Sequence, residues 1–130
     1  MIQFKTKRIE DEFKLDTSIR QDLKNILYML AIYCEVEFDE DITITELYRT
    51  QSEQDTYYAH IPNYNKKSVH QFGRGADIRS RNFNENEITK IMTFLNLITY
   101  QEGSRYQTAK YHDIGMGSHI HIQVRAGVEL

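Results

Sequence analysis

Two rhythms of apolar residues run along this chain: one has the spacing of a helix, and the other alternates as a strand does. Ile19, Leu23, Ile26, Leu27, Leu30 and Cys34 fall on one helical face, and Tyr28, Met29, Ile32 and Tyr33 widen it. A helix with so broad an apolar face is expected to be largely buried. Asp16, Thr17 and Ser18 stand before it, and each side chain can cap free backbone N–H groups. Ile88, Ile91, Met92, Leu95 and Ile98 repeat the pattern over residues 85 to about 100. Asn84 is the expected cap of that second helix, and Glu85 and Glu87 in its first turn suit the helix dipole.

The alternating stretches are shorter. Residues 42–48 carry β-branched and aromatic side chains in alternation and read as a strand ending at Arg49. Residues 75–79 read as a short strand carrying Asp77. Residues 106–114 and 119–125 read as two more strands, joined by Gly115, Met116, Gly117 and Ser118. Residues 2–9 read as a short strand or a lead-in. Between the strands lie an acidic turn at 39–41 and a polar connection at 51–67 with turn signals at Pro62, Asn63 and Asn65. Residues 52–58 can hold one helical turn. The acidic turn lacks the further oxygen ligands at fixed spacing that a calcium loop needs. A polar connection that long within so short a chain often carries function; its Tyr57, Tyr58 and Tyr64 can line a groove or pack on the surface. The expected fold class is α+β, with two main helices against a small, mainly antiparallel sheet.

Composition narrows the classes. The chain has 130 residues, suited to one domain over 1–130, and a formal net charge of -3 that gives no general electrostatic grip on nucleic acid. Cys34 is the only cysteine, so neither an intrachain disulfide nor an all-thiolate metal site can form. It lies in an apolar helical run and reads as a buried free thiol. The apolar run around 26–34 is too short and too interrupted to span a bilayer. The first ten residues mix charge with isolated apolar positions and do not resemble a secretion signal. Synthesis in the cytoplasm, without membrane insertion, is the expectation.

The chemistry concentrates in two places. Residues 68–77 set His70 and Asp77 seven positions apart across a glycine-rich turn. His119, Ile120 and His121 follow near the C-terminus. Residues two apart on a strand share a face, so both imidazoles project together while Ile120 and Ile122 face the core. One imidazole and the carboxylate from the first stretch, with one imidazole from the second, make a three-ligand set. Catalytic zinc is held by three such ligands, with water in the fourth position. Each piece alone has a plainer reading: paired histidines occur on solvated sheet faces, and Asp77 can pair with Arg74 or Arg79. In combination they are far more specific. Non-haem iron also takes two histidines and a carboxylate, but usually with the pair much closer in sequence, so zinc leads.

Ser68, His70, Gly73, Asp77, His119 and His121 together resemble the signature of the zinc D-alanyl-D-alanine carboxypeptidase and L-alanyl-D-glutamate endopeptidase family. Bacterial cell-wall enzymes and phage endolysins belong to it, and it shares a zinc core with lysostaphin-type peptidases and the hedgehog signalling domain. Gly75 stands where the family usually has alanine. Tyr48, Arg49 and Thr50 fit the family's turn after the first main strand, with Leu47 in place of its glycine. The likeness covers roughly 42–124. It implies a hedgehog-like fold with zinc held by His70, Asp77 and His121, where the metal brings its bound water towards a pKa of about 7. It implies His119 as general base and later acid, since Ser118 stands where some members carry a carboxylate. A histidine with an ordinary pKa near 6.5 suits that task. It implies Arg49 as the group that binds a substrate carboxylate or the oxyanion, against the plainer reading of an ion pair with Glu46 or Glu53. It implies Ser68 as a substrate-binding or loop-bonding hydroxyl. His112 and Asp113 precede the last hairpin as rim residues, and His60 reads as solvated.

By this resemblance the expected activity is hydrolysis of an amide bond in the peptidoglycan stem peptide, by a monomer. Such a protein acts on the cell wall, and the absence of a secretion signal suits a phage-type lysin released at lysis. A non-catalytic zinc recognition module and a virion component with wall-degrading activity are the rival readings. The presence of His119 and Arg49 favours the enzyme, because a structural zinc needs neither.

Overall fold

The computed structural model describes residues 1–16, 18–47, 75–97, 108–113 and 118–124. These residues form an α+β fold, with three helices and a five-stranded, mostly antiparallel sheet among them. The strands are β1 (Ile2–Phe4), β2 (Ile42–Glu46), β3 (Gly75–Arg79), β4 (Ala109–Asp113) and β5 (Ser118–Gln123), in the spatial order β1-β2-β3-β5-β4. β1 runs parallel to β2; the other three pairings are antiparallel. The helices are α1 (Lys7–Leu15), α2 (Gln21–Phe38) and α3 (Glu85–Asn96).

α1 is a helix that the sequence pattern did not give. The reading of 2–9 as a strand or lead-in holds for the first residues only, because Thr6 turns the chain into a helix. Its side chain accepts a hydrogen bond from the Ile9 N–H (3.2 Å), satisfying a donor that the first turn leaves open. Ion pairs Lys7–Asp11, Arg8–Glu12 and Glu10–Lys14, all four residues apart, line its outer side. Its buried apolar residues are just Ile9 and Phe13, also four apart, while Leu15 at its end is exposed. Two apolar residues are too few to stand out as a helical stripe in the sequence.

α2 begins later than Asp16, Thr17 and Ser18 suggest. Asp16 instead closes α1 and takes hydrogen bonds from the Ser18 N–H (2.8 Å) and hydroxyl (2.6 Å). These bonds hold the Asp16 carboxyl below its usual range. Arg20 occupies the N-cap, with its guanidinium on Asp22 (2.8 Å). Leu23, Ile26, Leu27, Leu30, Ala31 and Cys34 form the buried face as expected. The expectation of a largely buried helix is corrected on the other side: Tyr28, Met29 and Ile32 are 48%, 45% and 52% exposed. A single sheet face covers one side of a helix, and the outward apolar residues extend beyond it. Leu30→Ala is therefore expected to cost ~2–5 kcal/mol of folding stability. Ile32→Ala should stay within about 0.5 kcal/mol. Urea denaturation of both variants reads the difference, and equal losses would show the outward face to be covered.

Asp39 ends α2 in the left-handed region at φ 53°, a conformation that aspartate tolerates better than most residues. In the acidic turn that follows, Asp41 bonds the Met1 ammonium and the Gln3 amide, which ties β1 to the sheet edge. α3 starts as expected, with a complete capping box between Asn84 and Glu87. It ends at Asn96, short of residue 100, and Leu97 is 83% exposed. β2 stops at Glu46 and β5 starts at Ser118; β4 spans the centre of the expected 106–114.

The core joins α1, α2 and α3 to one face of the sheet. Ile42, Ile44, Ala76, Ile78, Ile120 and Ile122 from the strands meet Leu27, Leu30, Ile91 and Leu95 from the helices. Tyr33 of α2 stacks on Phe94 of α3 with ring centres 4.2 Å apart. Cys34 is fully buried within this layer, and burial pushes its thiol up to about 12. The neutral thiol that the core requires persists below an unfolded value of about 8.5, and its contribution fades as pH rises towards 12. At pH 8 the folded protein is expected to leave a thiol reagent unconsumed, with one equivalent taken up in denaturant; fast labelling of the native protein would show Cys34 accessible.

Candidate metal centre

The strand alternation that sends Ala76 and Ile78 into the core turns Asp77 to the opposite face. The same holds in β5, where Ile120 and Ile122 face the core and His119, His121 and Gln123 face away from it. Antiparallel pairing then fixes which of these residues meet. Asp77 stands opposite His121, Arg79 opposite His119, and Gly75 opposite Gln123. On the far side of β5, Lys110 stands opposite His121, and His112 opposite His119. Register alone thus brings Asp77 beside His121, 44 positions further along the chain.

The contacts are close. Asp77 Oδ1 lies 2.9 Å from His121 Nδ1 and 3.6 Å from His119 Nε2. Asp77 and His121 are 7% and 8% exposed, and both neighbouring strands hold them. The other nitrogen of the same ring, His121 Nε2, lies 3.2 Å from Gln123 Oε1. His121 therefore sits between two oxygen atoms, with Nδ1 beside the Asp77 carboxylate and Nε2 beside the Gln123 amide oxygen.

This donor set suits a metal ion. Zinc bonds of about 2.0–2.1 Å at a tetrahedral angle place two ligand atoms about 3.3 Å apart. The 2.9 Å between Asp77 Oδ1 and His121 Nδ1 is within a few tenths of that, so a small separation of the two side chains admits the ion in place of the proton. The contact from Nε2 to an amide oxygen is what metal-bound histidines commonly make with their second nitrogen. Among the described residues no group of three or more His, Cys, Asp or Glu is arranged to hold a metal ion. The third expected ligand, His70, lies outside the described residues, as do Arg49, Ser68, His60 and the tyrosines of the polar connection.

Two residues at this site do not stand out in the sequence. Gln123 is two positions after His121 on a strand, and that spacing is the signal that places it on the same face. Glu46 ends β2, and a register shift after Ile44 brings it opposite Asp77, where regular pairing would oppose it to Ala76. It is 5% exposed and takes a hydrogen bond from the Leu47 N–H (3.3 Å), with the Arg8 guanidinium of α1 3.6 Å away. Leu47, next to it, is fully buried. A bulge cannot be read from an alternating pattern, so the placing of Glu46 was not legible.

No model of a known protein family matches the chain, and a search of curated proteins finds no match either. Among the described residues no helix is long and apolar enough to cross a membrane.

Proposed function

We propose that this protein is a zinc-dependent peptidase of the peptidoglycan stem peptide, with a hedgehog-like arrangement around the metal. The reading joins the resemblance of residues 68–77 and 119–121 to one structural observation. Asp77 and His121, two of the three expected ligands, meet at 2.9 Å in a buried position. A buried carboxylate needs a positive or hydrogen-bonding partner, and here the His121 imidazole stands at that distance from it.

In this reading Asp77 Oδ1 and His121 Nδ1 hold the ion together with His70. Zinc bound there would supply an acidified water and positive charge to offset the oxyanion. His119 Nε2, on the same face, takes up a proton during attack and returns it to the leaving amine. Arg49 grips a substrate carboxylate or the oxyanion, and Ser68 bonds substrate; both assignments rest on the resemblance.

The test is incubation of zinc-loaded protein with purified stem peptides, with and without chelator, followed by mass spectrometry. Chelator-sensitive loss of terminal D-alanine makes it a carboxypeptidase, and cleavage after L-alanine makes it an endopeptidase. Intact stems in the presence of bound zinc would replace this reading with a zinc recognition module.

A further inference from the structure

We propose that Gln123 is a positioning residue for His121: its side-chain oxygen takes the Nε2–H and leaves the Nδ1 lone pair directed at the metal position beside Asp77. The proposal rests on the metal reading above and adds a residue to it.

A neutral imidazole carries one N–H and one lone pair. With the proton on Nε2, given to Gln123 Oε1 across 3.2 Å, the bare Nδ1 faces the Asp77 carboxylate at 2.9 Å. Two electron-rich atoms that close need a cation between them, and a metal ion meets that need. With the proton on Nδ1, the ring gives it to Asp77 and has nothing to offer Gln123 but a lone pair. Between the two neutral forms, Gln123 Oε1 as it is oriented here accepts only from the one with the proton on Nε2, which is the form that leaves Nδ1 for metal. An oxygen acceptor at this place acts on which nitrogen is available, beyond filling space.

The local structure holds Gln123 well for this task. Its main-chain N–H donates to the Thr108 oxygen (2.8 Å). Ile122 and Val124, on either side of it, are 0% and 2% exposed and anchor the strand in the core. Opposite it on β3 stands Gly75, which has no side chain to compete for the space above the strand.

The experiment compares wild type with Gln123→Ala and Gln123→Glu in zinc competition against a chromogenic chelator. Gln123→Ala is expected to weaken zinc binding about 10–100-fold, the usual effect of losing such an outer partner. Gln123→Glu keeps an oxygen acceptor and is expected to stay within a few-fold of wild type. Histidine ¹⁵N spectra of the zinc-loaded proteins give a second readout: a slowly exchanging Nε2–H on His121 in wild type, and a fast-exchanging one in Gln123→Ala. Equal zinc affinity in wild type and Gln123→Ala would overturn the proposal and leave the metal reading standing. So would a Gln123→Glu variant as weak as Gln123→Ala, since it keeps both the bulk and an oxygen acceptor at this place. A wild-type protein that takes up no zinc would overturn both.

Discussion

His121→Ala is expected to abolish zinc retention and, with it, stem-peptide hydrolysis. His121 joins three lines of the site: Nδ1 to Asp77, Nε2 to Gln123, and its own strand to both β3 and β4. Removing the ring leaves the Asp77 carboxylate buried with one fewer partner, so the fold also pays a cost and must be checked. Far-UV circular dichroism and urea denaturation of the chelated protein provide that control. If the variant folds, its thermal midpoint should no longer respond to zinc. The wild-type midpoint should rise, because a ligand at 100 times its dissociation constant adds ~2.7 kcal/mol, on the order of 10 °C for a chain of this size. Zinc uptake by a folded His121→Ala protein at wild-type affinity would sink the ligand assignment, and retained hydrolysis would sink the zinc chemistry.

The elements that a sequence rhythm can announce are those that bury many apolar residues on one face. α2 does so outright, α3 does so through Ile91 and Leu95 backed by half-buried Ile88, Met92 and Phe94, and so do β2, β3 and β5; all five lie where periodicity expects them to within a few residues. α1 buries only Ile9 and Phe13 and is held by its Thr6 cap and its surface ion pairs, which leave little trace in an apolar pattern. The outward face of α2 shows the opposite limit. Met29 and Ile32 look like core in sequence, yet their burial depends on what lies across from them, and no neighbour is encoded locally.

The candidate site divides along the same line. Alternation within β5 was enough to place His119 and His121 on one face, and alternation within β3 to turn Asp77 away from the core. That these faces coincide depends on register between partner residues 40 to 48 positions apart. Hydrophobic alternation fixes that register only to within two residues, because a slip of one would send the isoleucines outward. A slip of two would keep every isoleucine inside and separate Asp77 from His121. The pairing Ala76↔Ile122 and Ile78↔Ile120 therefore carries the chemistry on its back: the core faces lock the register that sets Asp77 against His121 on the other side.

His119→Ala is expected to separate chemistry from metal binding. His119 Nε2 lies 3.6 Å from Asp77 Oδ1, beyond hydrogen-bond reach yet close to the spacing of atoms around one ion. Two roles suit that distance. As a general base, His119 would leave zinc bound when removed and lower kcat about 10²–10⁴-fold, the usual contribution of proton transfer by a placed side chain. As a ligand, it would take the zinc with it. The reading that best fits Gln123 is the first, because His121 already has an oxygen partner on its outer nitrogen and its inner nitrogen on Asp77, so those two with His70 fill a three-ligand set. The measurement is paired: zinc content after dialysis, and single-turnover cleavage with zinc in excess. Zinc near wild type with hydrolysis reduced at least a hundredfold supports the base. Loss of both, restored together by high zinc, would make His119 a ligand and return the proton-transfer role to a residue on the same face, with Glu46 first in line because its buried carboxylate stands opposite Asp77.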